Sequence, residues 1–385
     1  MIPYSRQDIS QADIDAVVAV LRSDFLTQGP VVPRFEQAVG SRCGAEHAVS
    51  VNSATSALHI ACLALGLGPR DEFWTVPNTF VASANCALYC GASVDFVDID
   101  PHTYNMNVEA LRKKLSDAER KGRLPKIVVP VHFAGQSCEM REIKTLADRY
   151  GFHIIEDASH AIGGKYLDEP IGNCRYSDIT IFSFHPVKII TTGEGGMALT
   201  NHPKLAERLR LFRSHGITRD PAQMVGESEG PWYYQQIELG YNYRMTDIQA
   251  ALGASQMHRL GEFVERRQHL AERYDTRLQD LPLCLPRRHV DTYSTFHLYA
   301  IRLCLDVIGK TRRQVFEGLR QQDVGVNLHY IPVHTQPYYQ RLGFKVGDFP
   351  ESERYYAEAL TLPLYPAMSE AQQDHVVRAV RGVLS

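Results

Sequence analysis

The stretch HAVSVNSATSALHIACLALG, residues 47–66, has the pattern that decides the fold of this 385-residue chain. A short β-rich run from His47 to Val51 leads through a polar turn into a helical pattern, whose apolar residues recur at helical spacing up to Gly66. A strand that runs directly into a helix is the repeating unit of a parallel sheet covered by helices. The first half of the chain is expected to repeat this unit.

The same unit recurs along the first half of the chain. Predicted strands over residues 73–76, 93–97 and 127–132 are each followed by a predicted helix, over 79–90, 107–117 and 139–150. Three more strands are predicted over 152–156, 179–183 and 197–200, and the last two are close enough to be joined by an irregular loop. This alternation predicts an α/β fold with a mostly parallel sheet and helices on both faces.

From about residue 247 the pattern changes. A long helical stretch is predicted from Asp247 to about Asp280, where prolines follow. A smaller α+β unit comes next, with strands over 296–303 and 326–331, a helix at 311–321, and closing helices near 351–359 and 369–383. We therefore predict a large domain of residues 1–250 and a small C-terminal domain of residues 251–385.

Composition and charge disfavour several classes of function. The formal net charge is −3, and the 41 basic and 44 acidic residues are interspersed, so no basic stripe is available for nucleic acid or anionic lipid. No run reaches the roughly 18 apolar residues of a membrane span, and the start of the chain lacks a signal-peptide pattern. The eight cysteines form no Cys-x-x-Cys pair, which disfavours a zinc ribbon. We expect a cytoplasmic protein that binds neither nucleic acid nor membranes and holds no metal.

The strongest chemical signal is SFHPVK, residues 183–188, followed by TTGEGG, residues 191–196. Lys188 lies in a loop that follows a predicted strand, and its neighbours Val187, Ile189 and Ile190 are apolar. Apolar surroundings desolvate an amine, lower its pKa and make it a usable nucleophile. These are the properties that a Schiff-base lysine requires.

Two other segments add to this signal. FHIIED, residues 152–157, is a buried β run that ends on Asp157, at the sheet edge where ligands collect. A carboxylate there suits a pyridinium nitrogen, and a helix N-cap is the alternative. NSATS, residues 52–56, lies at a strand-to-helix turn whose free N–H groups and hydroxyls suit a phosphate, although Ser and Thr are also ordinary N-caps.

These motifs, with PNTFVASAN (77–85), EDASHA (156–161) and GYNYRMTDIQ (240–249), resemble the DegT/DnrJ/EryC1/StrS family of sugar aminotransferases along nearly the whole chain. The resemblance implies a fold-type I enzyme that uses pyridoxal 5′-phosphate, with Lys188 bound to the cofactor. It also implies that Asp157 pairs with the ring nitrogen and that Phe80 stacks on the ring. His160 is expected to contact the phenolic oxygen or the ring edge, with a core or capping role as the alternative.

The resemblance further implies a homodimer. The cofactor phosphate would be held by Thr55, Ser56 and Ser183 of one subunit and by Asn242 of the other. The cycle implied takes an amino group from L-glutamate and gives it to a nucleotide-linked keto sugar, with Lys188 moving the proton. Arg244 is a candidate for binding the donor carboxylate.

Four shorter segments resemble the branch of the family that acts in pseudaminic acid synthesis: HPVK (185–188), GPWYY (230–234), NLHYIPVH (327–334) and QPYY (336–339). The substrate implied is a UDP-linked 2-acetamido-2,6-dideoxy-4-keto hexose, aminated at carbon four. Tyr330, His329 and His334 are the predicted sugar contacts, and His185 either touches the sugar or packs within its loop. A zinc site at His329 and His334 is disfavoured because no acidic or cysteine companion stands beside them.

Three alternatives remain at this point. The enzyme could act on another nucleotide 4-keto sugar, such as a GDP-linked or D-xylo one. A related branch of the family removes a sugar hydroxyl, but a histidine replaces the lysine there, so Lys188 argues against it. The third alternative is a cofactor-binding regulator without turnover, which is disfavoured because every catalytic position is filled.

Overall fold

The computed structural model describes all 385 residues, and β-strands and α-helices alternate along the first half of the chain. The strands are β1 (His47–Val51), β2 (Glu72–Thr75), β3 (Ser93–Phe96), β4 (Ile127–Val128), β5 (His153–Asp157), β6 (Lys165–Tyr166), β7 (Glu169–Pro170), β8 (Ile179–Ser183), β9 (Gly196–Thr200), β10 (Ile217–Thr218), β11 (Gln235–Gln236), β12 (Leu283–Cys284), β13 (Thr292–Tyr293), β14 (Tyr299–Leu303) and β15 (Ala359–Leu362).

The α-helices are α1 (Gln11–Leu21), α2 (Val31–Cys43), α3 (Ala54–Ala64), α4 (Ala82–Tyr89), α5 (Val108–Arg120), α6 (Met140–Tyr150), α7 (Pro203–Arg213), α8 (Asp247–Met257), α9 (Leu260–Leu278), α10 (Leu305–Ile308), α11 (Arg312–Gln321), α12 (Pro337–Arg341), α13 (Pro350–Glu358) and α14 (Glu370–Leu384). Short 3-10 turns lie at Phe133–Gly135 and Val333–Thr335. No helix is both long enough and apolar enough to cross a membrane.

Seven strands form the central sheet, in the order β1-β9-β8-β5-β4-β2-β3. Strands β8, β5, β4, β2 and β3 are parallel to one another. Strand β9 runs antiparallel to both of its neighbours, β1 and β8. The loop from 184 to 195, called here the lysine loop, therefore lies at one end of the strands, where β8 ends and β9 begins.

Helices cover both faces of this sheet and bury its apolar side chains. Helices α3, α4 and α7 pack on one face. On the other face, α5 and α6 cover one half, and α2 with the start of α9 covers the other half. Because both faces are buried, the strands are nearly continuous apolar runs rather than alternating ones.

The C-terminal part has a sheet of its own, in the order β12-β14-β15. Helices α11 and α14 pack beside it, and the second half of α9 contributes Leu270 and Tyr274 to its core. The first half of α9 contributes Leu260 and Phe263 to the core of the large sheet. Since one helix serves both cores, the domain limit at residue 250 stays a prediction.

Two residues of the motif GYNYRMTDIQ (240–249) stabilise the starts of helices. Thr246 caps α8, and the Asp247 carboxylate accepts hydrogen bonds from the N–H groups of Gly29, Val31 and Val32 at 2.8, 2.8 and 3.3 Å. A carboxylate at a helix start satisfies N–H groups that have no partner within the helix. Asp247 thus joins the start of α2 to the start of α8.

The seven strands predicted for the first half of the chain are confirmed, with small differences at their ends. The regular pairing of the predicted strand 127–132 is limited to Ile127–Val128, followed by an isolated bridge between Val131 and Asp157. The mostly parallel α/β class is confirmed as well.

Two predictions for the C-terminal half are wrong. The predicted strand 326–331 is irregular, because only Asn327 pairs, with Thr361, and the N–H of Tyr330 donates to the Asn78 side chain instead. The edge of the small sheet is β15, which sequence reasoning missed. The long helix predicted from Asp247 to Asp280 is two helices, with a break at residues 258–259.

Candidate active site

The carboxyl ends of the parallel strands open into a cavity of about 480 Å³. The segments after β1, β2, β5 and β8 line it, together with residues 329 and 330 of the C-terminal half. Of the residues predicted for the site, those that line this cavity are Lys188, Asp157, His185, Thr55, Phe80, His160, Ser183, His329 and Tyr330. One site thus collects residues from five separate segments.

The lysine loop is closed by hydrogen bonds at its base. The N–H of Phe184 donates to the Gly195 carbonyl at 2.9 Å, and the N–H of Thr192 donates to the Phe184 carbonyl at 3.0 Å. Ile189 and Ile190 are buried in the core beneath the loop. These contacts hold the backbone while the side chain of Lys188 faces the cavity.

The amine of Lys188 lies in an environment that favours its neutral form. It forms no hydrogen bond or ion pair within the chain. Burial lowers the pKa of Lys188 to about 8, and the nearby Asp157 carboxylate opposes this shift without cancelling it. A neutral amine near physiological pH can act as a nucleophile or accept a proton.

Asp157 ends β5 and is held by two donors. The N–H of Ser159 donates to Oδ1 at 3.1 Å, and the Ser83 hydroxyl donates to Oδ2 at 2.6 Å. Thr79 lies 2.8 Å from the Ser83 hydroxyl, so a short chain of hydroxyls orients the carboxylate. An ionised carboxylate accepts about four hydrogen bonds, and Asp157 therefore keeps capacity for a further donor in the cavity.

A buried pair of a histidine and a carboxylate precedes Asp157 in the fold. Glu156 accepts from His132 Nε2 at 2.8 Å, and Thr180 donates to it at 3.2 Å. The N–H of Cys138 donates to His132 Nδ1 at 3.2 Å, so this nitrogen carries no proton and the ring proton lies on Nε2. The same pair holds the pKa of Glu156 below its usual value although the group is buried. His132 is therefore a neutral donor to a buried carboxylate.

The start of α3 forms a cup of hydrogen-bond donors. Ser53 is the N-cap and accepts from the N–H of Ser56 at 3.1 Å. The N–H groups of Ala54 and Thr55 occupy the first helical positions, where no partner within the helix exists. Both residues line the cavity beside Ser183. Such a helix start binds anions, phosphate among them.

Aromatic side chains and imidazoles form part of the cavity wall. Phe80 is 60% exposed although it lines a cavity, and its ring centroid lies 6.4 Å from that of Tyr330. His329 is buried, and burial together with the charge of Lys188 lowers its pKa to about 3. His329 is therefore neutral, and this wall offers flat faces and neutral polar groups.

Three predicted site residues lie elsewhere in this chain. His334 is fully buried, and its Nε2 lies 2.8 Å from Glu353, so it cannot reach a ligand in the cavity as predicted. The Ser56 hydroxyl points inward and donates to the Asn52 side chain at 2.7 Å. Asn242 is exposed outside the cavity, as is expected of a residue that serves a partner.

Sequence reasoning missed several residues that line the cavity. Tyr4 comes from the N-terminal segment, and His297 comes from the C-terminal half. Ser83 lies within a motif that had been singled out, but its contact with Asp157 needs the fold. Arg244, predicted for the donor carboxylate, does not line the cavity. No group of three or more histidine, cysteine or acidic side chains is arranged to hold a metal.

The model of the DegT/DnrJ/EryC1/StrS aminotransferase family matches residues 7–381. The chain belongs to this family. It is 40% identical to the spore coat polysaccharide biosynthesis protein SpsC of Bacillus subtilis, over all of this chain and 97% of the relative.

Solved structures of family members have the same fold. PseC of Helicobacter pylori, an aminotransferase involved in the biosynthesis of pseudaminic acid, has a TM-score of 0.90 and 29% identity over 100% of this chain and 99% of its own. The sugar aminotransferase Spr1654 of Streptococcus pneumoniae, in its PLP form, has a TM-score of 0.89 and 27% identity, over 100% of this chain and 98% of its own. The family member described here is a sugar aminotransferase of fold type I that depends on pyridoxal phosphate.

The residues present fit that cofactor. A free amine and a carboxylate with spare acceptor capacity line one cavity, and a helix start with two unpaired N–H groups lies at its rim. The exposed ring of Phe80 also lines this cavity. The amine suits the cofactor's aldehyde, and the carboxylate suits its pyridine nitrogen. The helix start suits its phosphate, and Phe80 suits its aromatic ring.

Proposed function

We propose that this aminotransferase transfers the amino group of L-glutamate to carbon four of a UDP-linked 2-acetamido-2,6-dideoxy-4-keto hexose of L-arabino configuration, a reaction of the pseudaminic acid pathway. The observation that carries the proposal is that Tyr330, His329 and Phe80 line the same cavity as the Lys188 amine. Flat rings pack on the apolar faces of a sugar, and imidazole and phenol groups bond its hydroxyls. The likeness to PseC along the whole chain supports this substrate class.

We assign the following roles to the residues of the cavity. Pyridoxal phosphate, when bound, supplies an aldehyde and an electron-withdrawing ring. Lys188 holds it, and its amine then accepts and returns the proton that moves between donor and acceptor carbons. Asp157 keeps the ring nitrogen protonated, because an adjacent anion favours a cation. Thr55, Ser183 and the start of α3 bind the phosphate.

The remaining predicted contacts depend on other parts of the assembly or of the substrate. Asn242 reaches the phosphate of the partner subunit in the homodimer that we propose. His185 lies at the rim, exposed and lining the cavity, where a sugar or a nucleotide passes. Tyr330 and His329 contact the sugar. His334 packs against Phe96 and Phe349 and contacts Glu353, away from the cavity.

A second candidate is amination of a different nucleotide-linked 4-keto sugar. The 40% identity to SpsC, a protein of spore coat polysaccharide biosynthesis, favours this alternative. Both candidates use the same cofactor site and the same amine, so they differ only in the sugar and the nucleotide.

The substrate is tested by competition. The L-arabino 4-keto sugar and its D-xylo epimer, both UDP-linked, are mixed at equal concentration with the enzyme and glutamate, and each 4-amino product is quantified. We expect the L-arabino product to form faster. Faster formation of the D-xylo product, or a preference for a dTDP or GDP carrier, refutes the substrate and leaves the aminotransferase assignment in place. Replacing glutamate by other amino donors tests the donor in the same assay.

A further inference from the structure

His160 is held through both nitrogens of its ring. The N–H of Ala134 donates to Nδ1 at 3.3 Å, and Nε2 lies 3.1 Å from the hydroxyl oxygen of Tyr330. A ring nitrogen that accepts a hydrogen bond carries no proton, and a neutral imidazole has its single proton on the other nitrogen. If His160 is neutral, Nε2–H must donate to Tyr330.

The surroundings of His160 favour the neutral form. The side chain is buried, its ring centroid lies 4.3 Å from that of His297, and it forms no ion pair. Burial, and then the charge of Lys188, hold the pKa of His160 well below its usual value. His160 is therefore a neutral donor at Nε2.

The turn that presents Ala134 to this ring has a demanding geometry. Ala134 has φ of 57° and Gly135 has φ of 98°, both in the region that L side chains rarely adopt. A Cβ on Gly135 would lie 2.1 Å from Thr295 Oγ1 and 2.9 Å from the His160 carbonyl oxygen. The Thr295 hydroxyl donates to that carbonyl at 2.6 Å. Backbone and ring of His160 are thus fixed from opposite sides.

The orientation of His160 determines where the Tyr330 hydroxyl can donate its proton. The Tyr330 oxygen accepts the Nε2–H of His160, so its own proton must point elsewhere, and no group of this chain accepts it. Tyr330 lines the cavity, and burial raises its pKa above the usual value, which keeps the phenol protonated.

We propose that Ala134 and His160 fix the Tyr330 hydroxyl as a hydrogen-bond donor to an oxygen acceptor of the bound ligand. Two oxygens share this chemistry: the phenolic oxygen of the cofactor and an oxygen of the keto sugar. His160 is a positioning residue, because both of its ring nitrogens are engaged within the chain and it acts through Tyr330. The sugar as acceptor rests on the proposed function, whereas the direction of the hydrogen bond is a property of the chain alone.

The direction is tested without any reaction. Nitrogen-15 NMR of histidine-labelled apoprotein near pH 7 is expected to show His160 as the neutral tautomer protonated at Nε2, assigned by the signal that His160→Gln removes. A proton on Nδ1, or an imidazolium, overturns the proposal. This result does not depend on the identity of the substrate, so failure here is distinct from failure of the proposed function.

The acceptor is tested with three variants. Tyr330→Phe removes the donor, His160→Leu removes its orientation, and His160→Gln keeps an amide that can accept from Ala134 and donate to Tyr330. Loss of one neutral hydrogen bond is expected to weaken binding about three- to tenfold. We expect this loss in Tyr330→Phe and in His160→Leu. The double variant Tyr330→Phe/His160→Leu should lose no more than either single variant, because both remove the same hydrogen bond. His160→Gln should change binding by less than about twofold.

Two measurements separate the possible acceptors. A rise in the Kd of the apoprotein for pyridoxal phosphate identifies the phenolic oxygen, and a rise only in the KM for the keto sugar identifies the sugar. Unchanged Kd and KM in Tyr330→Phe overturn the proposal. So does a double variant whose loss is the product of the single losses, or a loss in His160→Gln as large as in His160→Leu.

Discussion

Lys188 and Asp157 line the same cavity with opposite formal charges, and yet they form no ion pair. A contact pair would hold the amine protonated and would occupy the carboxylate. Their separation leaves the amine with a pKa of about 8 and leaves Asp157 with acceptor capacity for a ring nitrogen. The chemistry of the site therefore depends on how far apart these two side chains are held.

The lowered pKa of Lys188 predicts how the apoprotein reacts with an amine-specific acylating reagent. Protonated amines do not react, so the rate of Lys188 labelling should rise with pH through a midpoint of about 8. Labelling of the exposed Lys204 is followed in the same digests as a reference. Mass spectrometry of digests taken at each pH gives both rates.

A matched pair of variants controls this prediction. Lys188→Ala should lose the labelled peptide, the visible absorbance of the bound cofactor and all turnover, while its circular dichroism stays unchanged. Lys204→Ala should keep turnover and absorbance. Residual transamination by Lys188→Ala, or a labelling midpoint above pH 10, would contradict the role given to this amine.

The chemistry-bearing residues were predictable where the local sequence determines their surroundings. Lys188 stands between apolar neighbours, and Asp157 ends a buried strand, so both could be placed from the sequence. His334 and Ser56 could not, because their orientation depends on Glu353 and Asn52, which contact them in the fold. Tyr4 and His297 were missed because no local pattern marks a residue that reaches the site from another segment.

At the scale of elements, the cup of hydrogen-bond donors at the start of α3 depends on a close approach between β9 and α3. Gly196 begins β9, and a Cβ placed on it would lie 2.5 Å from the N of Ala54 and 2.5 Å from the carbonyl carbon of Ser53. Both are backbone atoms of the turn into α3, which cannot move aside as a side chain can. The glycine at this position lets the cup and the lysine loop lie together.

Gly196→Ala should therefore displace the start of α3 and weaken cofactor binding. Overpacking of this kind costs about 1–3 kcal/mol, and a loss of about 1.4 kcal/mol corresponds to a tenfold rise in Kd. Titration of the apoprotein with pyridoxal phosphate measures it. Gly261→Ala is the matched control, since its Cβ meets open space on α9. Equal affinities in the two variants would show that the close approach does not matter.

Asp247 joins the starts of α2 and α8. We therefore expect its replacement to lower the free energy of unfolding without changing the cavity. Asp247→Asn leaves one acceptor oxygen and turns an N–H group towards the donors of Gly29, Val31 and Val32. Leaving buried donors unpaired costs about 1–3 kcal/mol. Urea unfolding should show this loss, whereas Asp306→Asn, at an exposed position on α10, should leave the unfolding curve in place. An unchanged midpoint in Asp247→Asn would refute the role of the cap.

The central sheet was predictable because each strand is a short apolar run followed by a helical pattern. The irregular segment 326–331 was not, since its residues favour a strand but its backbone groups bond to Asn78 and Tyr355 side chains. The strand Ala359–Leu362 follows α13 without a turn, so the helical pattern hid it. Tertiary contacts, rather than local sequence preference, determine the conformation of such segments.

At the scale of the whole molecule, large apolar side chains are exposed on the segment before Asn242 and on the segment before α2. Trp232 is 70% exposed, Leu239 is 75% exposed, and Phe25 is 53% exposed. Exposed apolar groups of this size are typical of surfaces that pack against another chain. Together with the position of Asn242 outside its own cavity, they support the homodimer proposed above.

The proposed exchange of Asn242 between subunits is tested by mixing inactive variants. Lys188→Ala and Asn242→Ala chains are unfolded together, refolded and assayed. In a two-fold dimer, random pairing gives heterodimers with one intact site and one doubly defective site, so about a quarter of wild-type activity should return. Each variant refolded alone is the control. The absence of any recovery would mean that Asn242 serves its own subunit.

The return of β9 beside β8 determines how the reactive amine can move. Both ends of the lysine loop are anchored in one sheet, so its backbone stays in place while the side chain moves. Holding a lysine side chain in one rotamer costs about 2 kcal/mol, whereas ordering a backbone costs about 1–2 kcal/mol for every residue. Side chains change rotamer in picoseconds to nanoseconds, and loops need nanoseconds to microseconds. In the cycle proposed above, proton transfer by Lys188 therefore requires a movement of its side chain and no opening of the loop.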